Sequence, residues 1–227
     1  MIQPQESREV AGLLKFFAKQ EYLEDFLRGK LYCNTPQHYR DSYSDGVSDD
    51  FDACVAYFNP NKRSHLPPIA QIDGKLLDLS EVESLMVFTE DDMHDAHLQC
   101  WCALEKCAPT PENLNLLSRD LSRLQQESGG LYVFLPSRNI EAYRQQVESH
   151  CSEGFISNFV QYTEDWTRRG MFGKRVRYAY QREYRFAFGR LPKGHVAHRV
   201  IEVGDLSELV EVCPPLVPLI QALFFLV

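Results

Sequence analysis

In the stretch YAYQREYRFAFGR, residues 178–190, the side chains that could do chemistry are Gln181, Glu183 and Arg185. Alternation along an extended chain puts these three on one face and Arg182, Tyr184, Phe186 and Phe188 on the other. The aromatic face predicts a core strand, so the Gln-Glu-Arg ladder behind it needs its own explanation. From Arg168 to Arg190 the chain carries Arg168, Arg169, Lys174, Arg175, Arg177, Arg182, Arg185 and Arg190 against one acid, Glu183. In a chain of net charge −8 this run is a candidate anion site. Gly170 and Gly173 would let backbone N–H groups approach a phosphate, and the arginines would supply bidentate donors. Glu183, set among cations, stays ionised and can stabilise developing positive charge or accept a hydrogen bond from a sugar hydroxyl. The same residues also fit a solvated sheet face on which Glu183 pairs with neighbouring arginines.

Three other groupings invite chemical readings. His94, His97, Cys100, Cys102 and Cys107 are zinc-ligand types, but they contain no CxxC, and Cys100 and Cys102 flank an inward-looking Trp101. Free cysteines are commonly buried, so structural packing and no metal is the expectation. The acidic stretch DSYSDGVSDDFDA lacks the glycine and glutamate positions of an EF-hand and reads as a solvated loop. Cys33 and His38 are five residues apart, which alone does not make a nucleophile and its base.

A glutamine, one residue and a glutamate at the start of a strand resemble the Q-x-E motif of some ADP-ribosyltransferases. The resemblance implies that Glu183 stabilises an oxocarbenium-like transition state at the nicotinamide ribose, with Gln181 beside it. It also implies NAD as the small molecule and an unknown macromolecule as ADP-ribose acceptor. The order Lys15, EYLEDFLRGK, LYCNTPQHYRD is similar to the strand-helix-strand opening of that fold. Thr35 then falls at the family's serine/threonine position and Lys15 where the family presents arginine or histidine, with Arg28 and Arg40 as displaced alternatives. Arg175 and Arg185 complete the expected cofactor-binding set. The chain also resembles a broad group of bacterial and phage proteins with a G-K-L-Y…Y-R-D opening and a late Y-x-x-Q-x-E-Y-R strand. The alternative is a non-enzymatic interaction protein that binds a protein or, more weakly supported, a nucleic acid through the 168–190 strip and the aromatics Tyr178 and Tyr180.

The elements that must position these residues alternate irregularly. Leu13–Phe17 reads as a strand, EYLEDFLRGK as a helix closed near Gly29, and LYCNTP as a second strand. NPNKRSHLPP, residues 59–68, reads as a surface loop. LMVFTED and HLQCWCAL follow as strands. Thr110 is placed to cap a helix with Pro111 at its first position, and Leu114, Leu117, Leu121 and Leu124 form its apolar stripe. LYVFL is a buried strand. SRNIEAYRQQVESHC is a helix with Ser137 at the cap and Ile140, Tyr143 and Val147 inward. FISNFVQYTE, the ladder, HRVIEVG and ELVEVC supply further strands. Without a regular βαβ rhythm this predicts α+β with a mixed or mainly antiparallel sheet.

At 227 residues and 44% hydrophobic composition, one α+β domain over 1–227 is expected. The negative net charge argues against a surface built throughout for nucleic acid. The N-terminus has no secretory pattern, and the apolar run 216–227 is too short for a bilayer and carries Pro218 and Gln221. Seven cysteines without framework spacing fit a reducing compartment, so a cytoplasmic location is expected.

Overall fold

The computed structural model describes residues 8–42, 54, 56–59, 71–72, 75–76, 79, 82–87, 96–106, 108, 110–164, 170–189 and 197–212. β1 (Val10–Phe17) leads through α1 (Gln20–Leu27) to β2 (Lys30–Cys33) and α2 (Pro36–Asp41). The short β3 (Ala56–Phe58), β4 (Gln71–Ile72), β5 (Lys75–Leu76) and β6 (Leu85–Val87) precede the long β7 (His97–Glu105). Then come α3 (Pro111–Ser128), β8 (Leu131–Pro136), α4 (Ser137–His150), β9 (Phe155–Phe159), β10 (Gln161–Tyr162) and β11 (Gly173–Lys174). A 3-10 helix, Val176–Gln181, turns into β12 (Glu183–Phe188), followed by β13 (Arg199–Glu202) and β14 (Glu211–Val212).

Six strands form one sheet in the order β14-β8-β1-β7-β12-β9, and every pairing in it is antiparallel. With helices interspersed among these strands, the fold is α+β. The alternation that makes the elements also makes two cores. One face carries Leu13 and Phe17 of β1, Trp101 and Ala103 of β7 and Phe186 and Phe188 of β12, packed against Leu23 and Phe26 of α1 and Tyr143 and Val147 of α4. The other carries Leu14, Cys102, Tyr132 and Phe134 under the α3 stripe of Leu117, Leu121 and Leu124, with Leu114 at its margin. α3 begins as its sequence requires: Thr110 Oγ1 accepts from the Asn113 N–H at 3.2 Å and Pro111 takes the first turn. It ends at Gly129, φ 116°, where a Cβ would lie 2.2 Å from the Phe17 carbonyl oxygen, so only glycine lets the helix end this close to β1.

Four local expectations are corrected. β1 starts at Val10 rather than Leu13. Thr35 and Pro36 do not extend β2; Thr35 caps α2, accepting from the His38 N–H at 3.2 Å, and proline at the first helical position has no hydrogen bond to lose. Ser137 is already helical, and the cap position belongs to Pro136 without a side-chain bond. The ladder is a strand only from Glu183, because Val176–Gln181 is a 3-10 helix and Arg182 has left-handed φ 46°. The stretches 43–53, 60–70, 88–95 and 213–227, with Cys107, Arg168, Arg169 and Arg190, lie outside the described residues. No described helix is long and apolar enough to cross a membrane.

Candidate functional site

β1 and β7 stay paired from Val10↔Glu105 as far as Leu14↔Cys102. Beyond that point β1 continues beside β8 to Phe17↔Leu131, and β7 continues beside β12 to His97↔Phe188. The sheet parts between them. The Lys15 ammonium donates to the Cys100 carbonyl at 3.2 Å in this parting and lies 5.9 Å from the Trp101 ring centre. On the same side opens a pocket of about 190 Å³, lined by Lys15, Cys100 and Cys102 with Lys174, Gln181 and Glu183. Leu14, Phe16, Trp101 and Leu124 supply its apolar wall, and Tyr39 and Ser128 lie at it too.

Glu183 is the centre of charge. It is 5% exposed; Lys174 Nζ lies 2.8 Å from its Oε2 and Arg185 Nε donates to its Oε1 at 2.7 Å. Lys174 also donates to Gln181 Oε1 at 2.9 Å, so one ammonium bridges the two acceptors of Gln181 and Glu183. Arg185 is fully buried and donates through Nη1 to the Met171 carbonyl. Burial pushes the Glu183 carboxyl up, but the Arg185 guanidinium, the Lys174 ammonium and hydrogen bonds from Arg185 and Cys100 outweigh it and hold the carboxyl well below the usual carboxylate range. Glu183 is therefore an anion at neutral pH, as its cationic neighbours in the sequence implied. Burial pulls the Lys15 ammonium below its ordinary value, against the opposing pull of Cys100, Cys33 and Glu183. Burial likewise pushes the thiols of Cys100, Cys102 and Cys33 up to about 12, so all three are neutral and none is an activated nucleophile.

The expected site residues divide. Lys15, Gln181 and Glu183 line the pocket. Thr35, fully buried, serves as the α2 cap and is not among the described lining residues. Arg40 donates to Gln37 Oε1 at 2.6 Å within α2. Arg28 pairs with Glu24 at 3.3 Å on the exposed side of α1. Arg175 stands 5.5 Å from the Tyr178 ring. Arg185 reaches the pocket only through Glu183. Neither face of β12 is solvated. The odd-numbered face is buried because Lys174 covers Glu183 and Met171 covers Arg185 and Ala187, which the strand's own alternation could not predict. Of the strip's described residues, Lys174 and Arg185 are buried, Arg182 pairs with Asp120 at 3.0 Å and Tyr178 and Tyr180 are buried under α3, while Arg177 is exposed. Among the described residues no three His, Cys, Asp or Glu side chains cluster to hold a metal ion.

Sequence reasoning missed Lys174 as the shared partner of Gln181 and Glu183, because it had counted the residue only within a basic run. It also missed Tyr39 and Tyr162; the Tyr162 hydroxyl accepts from the Glu183 N–H at 2.8 Å. Neither tyrosine carries a spacing signal. No family model, curated protein or solved structure matches the chain.

Proposed function

We propose that the chain is an ADP-ribosyltransferase-like protein that binds a nucleotide-type small molecule, NAD, in this pocket and transfers ADP-ribose to a macromolecular acceptor. The reading is supported by one observation above the rest: Lys15, Gln181 and Glu183, from the two ends of the sequence, meet at one pocket with the glutamate ionised. An engineered cavity of about 150 Å³ takes a benzene ring, so a pocket of about 190 Å³ suits the nicotinamide ring, with the ribose at its mouth and the remainder of the dinucleotide outside. In the transfer the bond from ribose C1′ to the nicotinamide nitrogen breaks, its electron pair leaves with nicotinamide, and positive charge develops at C1′. Glu183 stabilises that charge at a fixed position in a water-poor site. The acceptor nucleophile then bonds to C1′ and loses a proton.

A ribose hydroxyl at this pair would meet Gln181 Oε1 and Glu183 Oε2, the acceptors that Lys174 now bridges, so the ammonium shares or yields them on binding. The alternative, a non-enzymatic partner surface along 168–190, has fewer cations to offer than the sequence suggests, because Lys174 and Arg185 are buried and Arg182 pairs with Asp120, although Arg177 is exposed. The test is thermal unfolding with and without NAD, together with incorporation of labelled ADP-ribose into a lysate. Wild type should gain melting temperature with NAD and label acceptors. Glu183→Gln leaves Lys174 and Arg185 without their acid and should melt below wild type, yet it should still gain melting temperature with NAD and lose the labelling, because the charge matters most in the transition state. Wild type that neither shifts nor labels would overturn the reading.

A further inference from the structure

The residue between the two motif acceptors has the least favourable backbone of the described chain. Arg182 is, among the described residues, the non-glycine residue with positive φ, 46°. Side chains disfavour that region, and such residues persist where their surroundings hold them. Three contacts hold this one. Its N–H donates to the Ala179 carbonyl at 3.2 Å, and its carbonyl accepts from the Ala103 N–H at 2.7 Å. Its guanidinium grips one oxygen of Asp120, with Nε at 3.2 Å and Nη2 at 3.0 Å from Oδ2. Asp120 is 4% exposed and sits within the apolar stripe of α3, and the exposed Arg119 touches its other oxygen at 3.4 Å. A carboxylate buried on a packing face is costly unless its charge and hydrogen bonds are answered, and the answering group is the residue whose backbone turn delivers Gln181 and Glu183.

We infer that Asp120 and Arg182 form a positioning pair, through which α3 fixes the left-handed turn at 182 and so keeps Gln181 and Glu183 together on Lys174 at the pocket. Neither residue is among those lining the pocket, so both act through Glu183. The left-handed residue swings the chain between the end of the 3-10 helix and the start of β12, and it makes two acceptors that are two residues apart converge on one ammonium. In a continuous strand they would stand side by side on one face, roughly 7 Å apart. The inference deepens the transferase reading but rests on geometry that exists without it.

The experiment follows the carboxyl of Glu183 by carbon-13 NMR through a pH titration of the full chain, the resonance being assigned by its absence in Glu183→Gln. In wild type the carboxyl should stay ionised where exposed glutamates titrate. Asp120→Asn keeps the shape and removes the charge. Loss of a nearby anion acts by itself to lower the titration midpoint of Glu183, whereas loss of its placement against Lys174 and Arg185 raises it. The two effects have opposite sign. The pair predicts a midpoint raised by about one unit or more, the same direction in Arg182→Ala, and a smaller rise in Arg182→Gly, because glycine adopts positive φ freely. A folded Asp120→Asn protein whose midpoint is unchanged or lower overturns the inference, leaving the pair as a staple between α3 and the sheet. Equal rises in Arg182→Gly and Arg182→Ala overturn it as well. If Asp120→Asn does not fold, the two Arg182 variants decide. Where wild type turns over NAD, Asp120→Asn should lose roughly tenfold or more in kcat with KM little changed. Wild type without any NAD response removes the transferase reading and leaves the titration test standing.

Discussion

The two faces of β12 are both buried and are held by different physics. On one, Phe186 and Phe188 stack with Phe155 and with each other at ring-centre distances of 6.0 to 6.5 Å, and Tyr143 meets Phe186 edge-on at 5.4 Å. On the other, Glu183 lies between Arg185 at 2.7 Å and Lys174 at 2.8 Å, with Ala187 beyond them in a small apolar cluster. The aromatic face gains from leaving water and tolerates modest changes of shape. The ionic face gains little net from being buried, because desolvation opposes the attraction, yet it is unforgiving of losing one partner. A site for chemistry belongs on the second kind of face, where charge is already desolvated and pointed in one direction.

The largest expected effect comes from breaking the ionic face on one side only. Arg185→Ala leaves a buried carboxylate with one cation and a void, and should cost about 3–5 kcal/mol or more in denaturant unfolding. Replacing the whole set by apolar side chains, Lys174→Met with Glu183→Leu and Arg185→Met, should return stability to near wild type while abolishing any ligand response. A triple variant as unstable as the single one would mean that this face contributes real net stability. Phe186→Ala tests the aromatic face and should cost about 3–5 kcal/mol, with no change in the titration of Glu183.

The next effect is one of pH. Glu183 is held below its ordinary range in the folded state and returns to about 4.3 when unfolded. The unfolded chain therefore binds the extra proton, and stability from this group is fully present above that value and fades as pH falls from it toward the folded value. Glu183→Gln should flatten the stability curve below about pH 5; parallel curves for the two proteins would show that the carboxyl is not held. The smallest effect is remote from either face. Thr110→Ala removes the α3 cap and should cost about 1 kcal/mol, a useful baseline for α3 variants such as those at Asp120.

Much of the scaffold was legible. The Leu114 to Leu124 stripe, the Thr110-Pro111 start and the Gly129 end of α3 are local signals, and the helix obeys them. Trp101 and Cys102 fall on opposite faces of β7 as alternation requires. The ionised state of Glu183 was also legible, because it is the only acid in a basic run. What the run did not reveal was which of its cations turn inward. Of its cations, Lys174 and Arg185 became interior partners of Glu183, and Arg182 was taken up by an acid 62 positions earlier in the chain. Asp120 did leave a trace in the sequence, an acid three residues after Leu117 and one before Leu121 in an otherwise apolar stripe, which is a buried charge waiting for a partner.

By itself, then, the order of residues determined the helices α1, α3 and α4, the alternation of the strands, the α+β class and which groups could be charged, since each follows from patterns within short stretches of chain. Only the tertiary structure decided that β1 and β7 part beyond Leu14, that Lys15 enters that parting, and that one lysine bridges Gln181 and Glu183. The first two depend on pairings across more than eighty residues, such as Lys15 with Cys100, 85 positions apart, and the third on a single left-handed residue that interrupts the period of two. Periodicity describes a face but not what is folded over it, and both the cations that keep Glu183 charged and the burial that suppresses the acidity of the thiols around it come with that covering.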